Sequence, residues 1–149
     1  MFAIILLMRI RDTIEERLRC GQEGFRSERG CSDNLFVLRS IINHALKSGV
    51  ALEITFIDYA QAFDTISHEF LQISMDEHGL PLKIREVIGS IYKNAMGRVR
   101  GSFGAMSEPF PIRRGVLQGD ILSPVLFIMC LNSIWCRSEE PNDGWQISE

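Results

Sequence analysis

Residues 54–68 read ITFIDYAQAFDTISH, an apolar run that ends on a carboxylate. Leu52, Ile54 and Phe56 alternate with Glu53 and Thr55, the period of a half-buried strand. Asp58 falls on the parity of the apolar residues, and a second carboxylate, Asp64, follows beyond Ala62 and Phe63. An unpaired carboxylate on the buried face in mid-strand costs several kcal/mol, so Asp58 ends the strand, is paired, or holds a metal. The bland reading of Asp58 is a turn starter or helix cap. The catalytic reading requires partners from elsewhere in the fold.

Upstream, Ile4, Leu7, Arg11, Ile14 and Leu18 form one stripe of an amphipathic helix. The opening MFAIILLM resembles a signal-peptide core, but no basic residue precedes it and charged RIRDTIEERLR follows directly, so no signal peptide is expected. A glycine-punctuated loop, GQEGFRSERGCSDN, offers Ser32 and Asp33 as helix N-caps. Leu35, Leu38, Ile42, Ala45 and Leu46 then recur at helical spacing up to a stop at Gly49.

Downstream, a helix over about residues 67–78 is stopped by Gly79 and Pro81, and a second follows with the stripe Ile84, Val87, Ile88, Ile91 and Ala95. GRVRGSFGAMSEPFPIRRG reads as a hairpin with a Gly/Ser-rich turn, then come the loop VLQGDILSP and an apolar run over residues 121–135. That run is shorter than the ~20 residues a membrane span needs, and Ser123, Pro124 and Asn132 interrupt it, so it reads as a buried helix. Helices interleave with a few strands and show no βαβ rhythm, which makes the fold class α+β.

The 149 residues suit one domain, and no repeat or linker divides them. The net charge of -3 argues mildly against a dedicated nucleic-acid binder but hides a division along the chain. Between residues 40 and 78 Lys47 is the sole cation against six acids; between 79 and 120 seven cations face Glu86, Glu108 and Asp120. An acidic half suited to divalent cations therefore precedes a basic half suited to phosphates. Cys20, Cys31, Cys130 and Cys136 form no C-x-x-C pair, which favours reduced thiols and an intracellular protein of nucleus or cytoplasm, without a membrane partner.

A strand-end aspartate is used in two kinds of phosphoryl chemistry. A phosphatase-type aspartyl nucleophile needs another Asp two residues on, and Ala60 stands there. The alternative is magnesium-assisted phosphoryl transfer, with carboxylates holding one or two Mg²⁺.

For the second kind, the whole pattern resembles a family. FIDYAQAFD is similar to the first catalytic motif of reverse transcriptases, RGVLQGDILSPVLF to the next, and GQEGFRSERGCSDN to the segment ahead of them in non-LTR retrotransposon and group II intron enzymes. Together the motifs cover about residues 20–135 in the family's order. The resemblance implies a right-hand polymerase of which residues 1–149 are a single partial domain, truncated at both ends. About residues 1–50 would be a remainder of the fingers, and about 51–149 an incomplete palm, an RRM-like sheet with packed helices. The implied reaction is attack of a DNA primer 3′-hydroxyl, on an RNA template, upon a deoxynucleoside triphosphate, with two Mg²⁺ ions.

By position, the resemblance makes Asp58 the catalytic, metal-binding aspartate, with the backbone of Tyr59 a further metal and nucleotide contact. It makes Phe63 the bulky residue beneath the incoming sugar, whose ring would clash with a 2′-hydroxyl. Gln118 and Gly119 match the loop that shapes the nucleotide pocket, and Ser123 and Pro124 would open the following helix. Asp64 is read as structural, capping the turn before Ser67, and His68 as a cap or core residue. Arg26 and Arg29 are either solvated or contacts to template or phosphate. Arg98, Arg100, Arg113 and Arg114 are either a backbone-binding strip or a solvated hairpin face.

The family's second carboxylate motif, an aromatic and one residue before Asp-Asp, has no match, since the sequence holds no Asp-Asp. After Pro124 the sole aspartate is Asp143, within DGWQISE. The chain alone is therefore expected to be inactive and to need missing polymerase segments or another chain for folding. The rival readings are a non-catalytic nucleic-acid-binding remnant and a transposon-derived reading frame without function.

Overall fold

The computed structural model describes residues 2–138, so Asp143 and the stretch around it lie outside the described residues. Six α-helices occur in chain order: α1 (Phe2–Glu15), α2 (Cys31–Ser48), α3 (Ala62–Thr65), α4 (His68–Glu77), α5 (Leu82–Lys93) and α6 (Ser123–Ser138). Between α5 and α6, β1 (Met96–Gly97) pairs antiparallel with β2 (Phe110–Pro111), Met96 opposite Pro111 and Gly97 opposite Phe110. The α+β class holds, with helix predominant and a small sheet.

The hydrophobic core is built on α6. Its sequence SPVLFIMCLNSIWCRS is apolar on most sides, which suits a central helix, and Val125, Leu126, Ile128, Met129 and Cys130 are all buried. Packed on it are Ile10, Ile14 and Leu18 at the end of α1, Leu71 and Met75 of α4, and Ile88 and Tyr92 of α5. Each fully buried Leu or Ile contributes about 1.5–3 kcal/mol. Ser67 caps α4, its hydroxyl accepting from the Phe70 amide at 3.0 Å. Ser123 and Pro124 open α6, as the first-turn tolerance of proline predicts.

A buried polar bridge ties three helices. Asn132 of α6 donates to the Arg17 carbonyl at 3.2 Å and accepts from the Arg19 amide at 3.1 Å. Its Nδ2 also lies 3.1 Å from Nε2 of His78, whose Nδ1 lies 2.9 Å from the Ser74 carbonyl. A carbonyl only accepts, so Nδ1 carries the proton and Nε2 accepts from Asn132. The imidazole is thereby neutral, and burial lowers its pKa below the ordinary 6.5.

Several local expectations need correction. Residues 50–59 form no strand, and Ile54, Phe56 and Ile57 are exposed. A strand requires a neighbour to pair its backbone, and among the described residues none lies beside this segment. In α1 the buried stripe is Leu6, Leu7, Ile10 and Ile14, whereas Ile4 and Arg11 are exposed, because α6 meets a face rotated by about one residue from the predicted one. Helix α2 forms up to Gly49 as its periodicity predicts, yet buries only Ala45 and leaves Leu35, Phe36 and Leu46 exposed. Its N-cap is Gly30 rather than Ser32 or Asp33; Asp33, at the third helical position, accepts from the Gly30 amide at 3.2 Å. Val87 of α5 is exposed, and Tyr92 takes the buried place.

All four cysteines are free thiols; burial pushes that of Cys130 up to about 12. Among the described residues no helix is long and apolar enough to cross a membrane.

Candidate active site

Asp58 is exposed near the end of the irregular segment before α3, and the chain turns at Gln61 (φ 50°) into the single helical turn of α3. This turn lies on α6, forming a small cleft lined by Tyr59, Ala62, Ile66, Phe127, Cys130 and Ile134. One wall of the cleft is thus α6, and Asp58 immediately precedes the lining residue Tyr59 in the chain.

The turn is fastened to the loop that leads into α6. The Gly115 amide donates to the Ile66 carbonyl at 2.7 Å and the Val116 amide to the Phe63 carbonyl at 2.8 Å. Ser67 and Arg114 form a bridge pair, and His68 Nε2 lies 3.1 Å from the Gly115 carbonyl. Farther along, Gln118 Nε2 donates to Asp64 Oδ1 at 3.3 Å. Asp64, expected to cap the turn before Ser67, instead has Gln118 as its side-chain partner.

Gly115 makes this fit possible. Its φ is 84°, and a Cβ there would lie 2.8 Å from the Asp64 Cα and 3.0 Å from the Phe63 carbonyl oxygen. Sequence reasoning passed over this glycine. The signal was present in RRGVLQG, but which backbone presses on it depends on a contact between distant segments.

An aromatic cluster joins the motifs from the other side. Phe63 stacks on Phe127 of α6, with centroids 4.4 Å apart and planes at 15°. Phe25, from the arginine-bearing loop before α2, meets Phe63 edge-on at 5.8 Å and Phe127 at 6.5 Å. Phe25 and Phe127 were not singled out from the sequence; each is an ordinary aromatic until the fold brings them together.

The loop after Val116 is ordered by its own polar groups. The Ser123 hydroxyl donates to the Leu117 carbonyl, and the Leu122 amide donates to Asp120 Oδ1 at 3.4 Å. Gly119 stands at φ 87° with open space around its would-be Cβ, so backbone is presented bare to solvent beside Gln118.

Asp58 and the Tyr59 carbonyl offer hard oxygen donors, the type Mg²⁺ prefers. Among the described residues no group of His, Cys, Asp or Glu is large enough to hold an ion by itself. The donor types fit a divalent cation and would supply part of its shell.

The arginines separate into two groups. Arg26 is nearly buried and its donors close the end of α1: Nε pairs with Glu15 at 2.7 Å, and its terminal nitrogens reach the Glu15, Arg19 and Gln22 carbonyls. Arg29 bonds the Cys20 carbonyl at 2.7 Å and Glu23 at 3.1 Å. Arg98, Arg100, Arg113 and Arg114 are exposed on the hairpin and its base.

Comparison with known proteins places this geometry in context. A family model described as Reverse transcriptase (RNA-dependent DNA polymerase) matches residues 3–142. The chain is similar to the Retrovirus-related Pol polyprotein from type-2 retrotransposable element R2DM of Drosophila melanogaster, 31% identical over 113 residues, 76% of this chain and 11% of that protein. It is 28% identical over 146 residues to the Pol polyprotein from type-1 retrotransposable element R2 of Popillia japonica, covering 97% of this chain and 20% of that one. With the probable RNA-directed DNA polymerase from transposon BS of Drosophila melanogaster it shares 31% identity over 136 residues, 89% of this chain and 15% of that protein. The chain thus spans about a tenth to a fifth of these relatives' length.

Proposed function

The chain belongs to the reverse transcriptase family, of the kind carried by non-LTR retrotransposons, and from that premise we propose that it forms the nucleotide-facing part of an RNA-directed DNA polymerase. In this reading α3 to α6 belong to a palm, and α1, α2 and the loop between them to a remainder of the fingers. The parent enzyme copies an RNA template from a DNA primer using deoxynucleoside triphosphates.

The observation that carries the reading is the fastening of the Phe63–Ile66 turn to residues 115–118 by three direct bonds, which joins the turn that follows Asp58 to the glycine-bearing loop. Asp58 and the Tyr59 carbonyl are the groups that would hold Mg²⁺. When bound, the ion supplies Lewis-acid chemistry toward a phosphate oxygen.

The chain's own residues set position and selectivity. Phe63 is held from one face by Phe127 and contacted by Phe25, which steadies the ring that would clash with a 2′-hydroxyl. Gly119 lets a nucleotide approach backbone without meeting a side chain, and Gln118, steadied by Asp64, stands beside it.

One carboxylate cannot hold two ions in line, so the purified chain is inactive by itself. In a primer-extension assay on an RNA template with Mg²⁺ or Mn²⁺, no extension is expected. Processive synthesis that Asp58→Ala abolishes would overturn this.

A further inference from the structure

The hairpin between α5 and α6 holds an aromatic ring fully in water. Its two arms are joined at intervals from base to tip: β1 pairs with β2, the Ser107 amide donates to the Val99 carbonyl and the Ser107 hydroxyl accepts from the Val99 amide, each at 2.9 Å, and Arg100 bridges Met106 after a one-residue change of register. The Gly101 amide closes the turn onto the Ala105 carbonyl at 2.8 Å. At that tip Phe103 has a left-handed backbone, φ 62°, and a relative exposure of 108%. An ordered arm that carries a β-disfavoured backbone to present a bare phenyl ring has no folding reason to do so among the described residues.

Charge identifies the occupant. Arg98 and Arg100 stand two residues apart on the outgoing arm, and Arg113 and Arg114 follow the returning arm. All four are exposed, and within residues 97–114 only Glu108 opposes them. Cations that track a phosphate backbone beside a sequence-indifferent ring are the two parts of a single-strand binding surface. We propose that this hairpin is a stacking arm for single-stranded nucleic acid, in which Phe103 takes the face of an unpaired base and Arg98 and Arg100 hold the adjoining phosphates. The proposal rests on the polymerase reading, and deepens it by naming the strand state that the basic half engages.

The test is fluorescence anisotropy of the full chain with short labelled single-stranded RNA, single-stranded DNA and duplex DNA across a salt series. Phe103→Ala is expected to weaken single-strand binding about 5- to 150-fold at unchanged salt slope, the range for losing one base–aromatic stack. Phe103→Trp retains binding and Phe103→Leu does not, while the Arg98→Ala/Arg100→Ala pair lowers the salt slope. The ring lies fully in solvent, so these variants keep the fold, which circular dichroism checks. The preferred probe among RNA and DNA tells which strand the arm takes. Salt-dependent binding indifferent to Phe103, or an equal loss on duplex, overturns the stacking arm and leaves the polymerase reading standing. No binding to any probe at low salt overturns the arm and removes the nucleic-acid role of the basic half with it.

Discussion

Gly115→Ala will destabilise the fold by about 3 kcal/mol, of which roughly 1–2 kcal/mol is the penalty of a side chain in left-handed backbone. The remainder comes from the new Cβ, which would press on the Asp64 Cα at 2.8 Å, a backbone atom that cannot swing away. The relief available to the chain is separation of residues 63–66 from 114–116. The damage is therefore expected to be local first: amide exchange at Gly115 and Val116, whose bonds to Ile66 and Phe63 are 2.7 and 2.8 Å, should accelerate more than exchange in α4 or α5. Chemical denaturation gives the total, and hydrogen exchange gives the place. Unchanged protection at those two amides would mean that the fastening is not what Gly115 is for.

Asn132→Ala should cost about 2–3 kcal/mol, because it takes the partner from the buried His78 Nε2 and removes two part-buried bonds to backbone. The Arg17 carbonyl, the Arg19 amide and His78 Nε2 all lose a bond at once. Asn132→Leu restores volume without restoring any of these bonds and should rescue little. The same bridge sets a pH dependence. The His78 pKa is lowered in the folded chain, first by burial, so below about 6.5 the unfolded chain takes up the proton that the folded chain refuses. Stability therefore falls as pH drops through that value, with a slope no steeper than about 1.4 kcal/mol per pH unit from this group. A denaturation series in pH should show that decline, and His78→Gln should flatten it.

The parts of this fold legible in the sequence are those whose causes are local. The stop at Gly79 and Pro81 and the first turn at Ser123 and Pro124 each act within a few residues, and α4, α5 and α6 stand where those signals put them. The existence of α2 was equally legible, but its buried face was not, since Leu35 and Leu46 mark an apolar stripe without saying what covers it. The alternation at residues 52–56 failed for the related reason that a strand is a property of two segments, and period-two patterning describes only one. At the candidate site, Asp58 and Gln118 could be picked out by motif, whereas the Asp64–Gln118 bond, the Phe25–Phe63–Phe127 cluster and the pressure on Gly115 are contacts across the chain. Arg26 shows the converse: in the sequence it was as good a phosphate ligand as Arg98, and the fold turns its donors onto the end of α1.

The central claim is that Asp58, and not the neighbouring Asp64, is the metal-holding end of this surface. Titrating Mn²⁺ into the ¹⁵N-labelled chain tests it directly, because the ion broadens amide signals nearest its site even when it binds weakly. The account predicts broadening that begins at Asp58 and Tyr59 and disappears in Asp58→Asn. Broadening centred on Asp64, or on Asp76 and Glu77, or broadening that persists unchanged in Asp58→Asn, would contradict it.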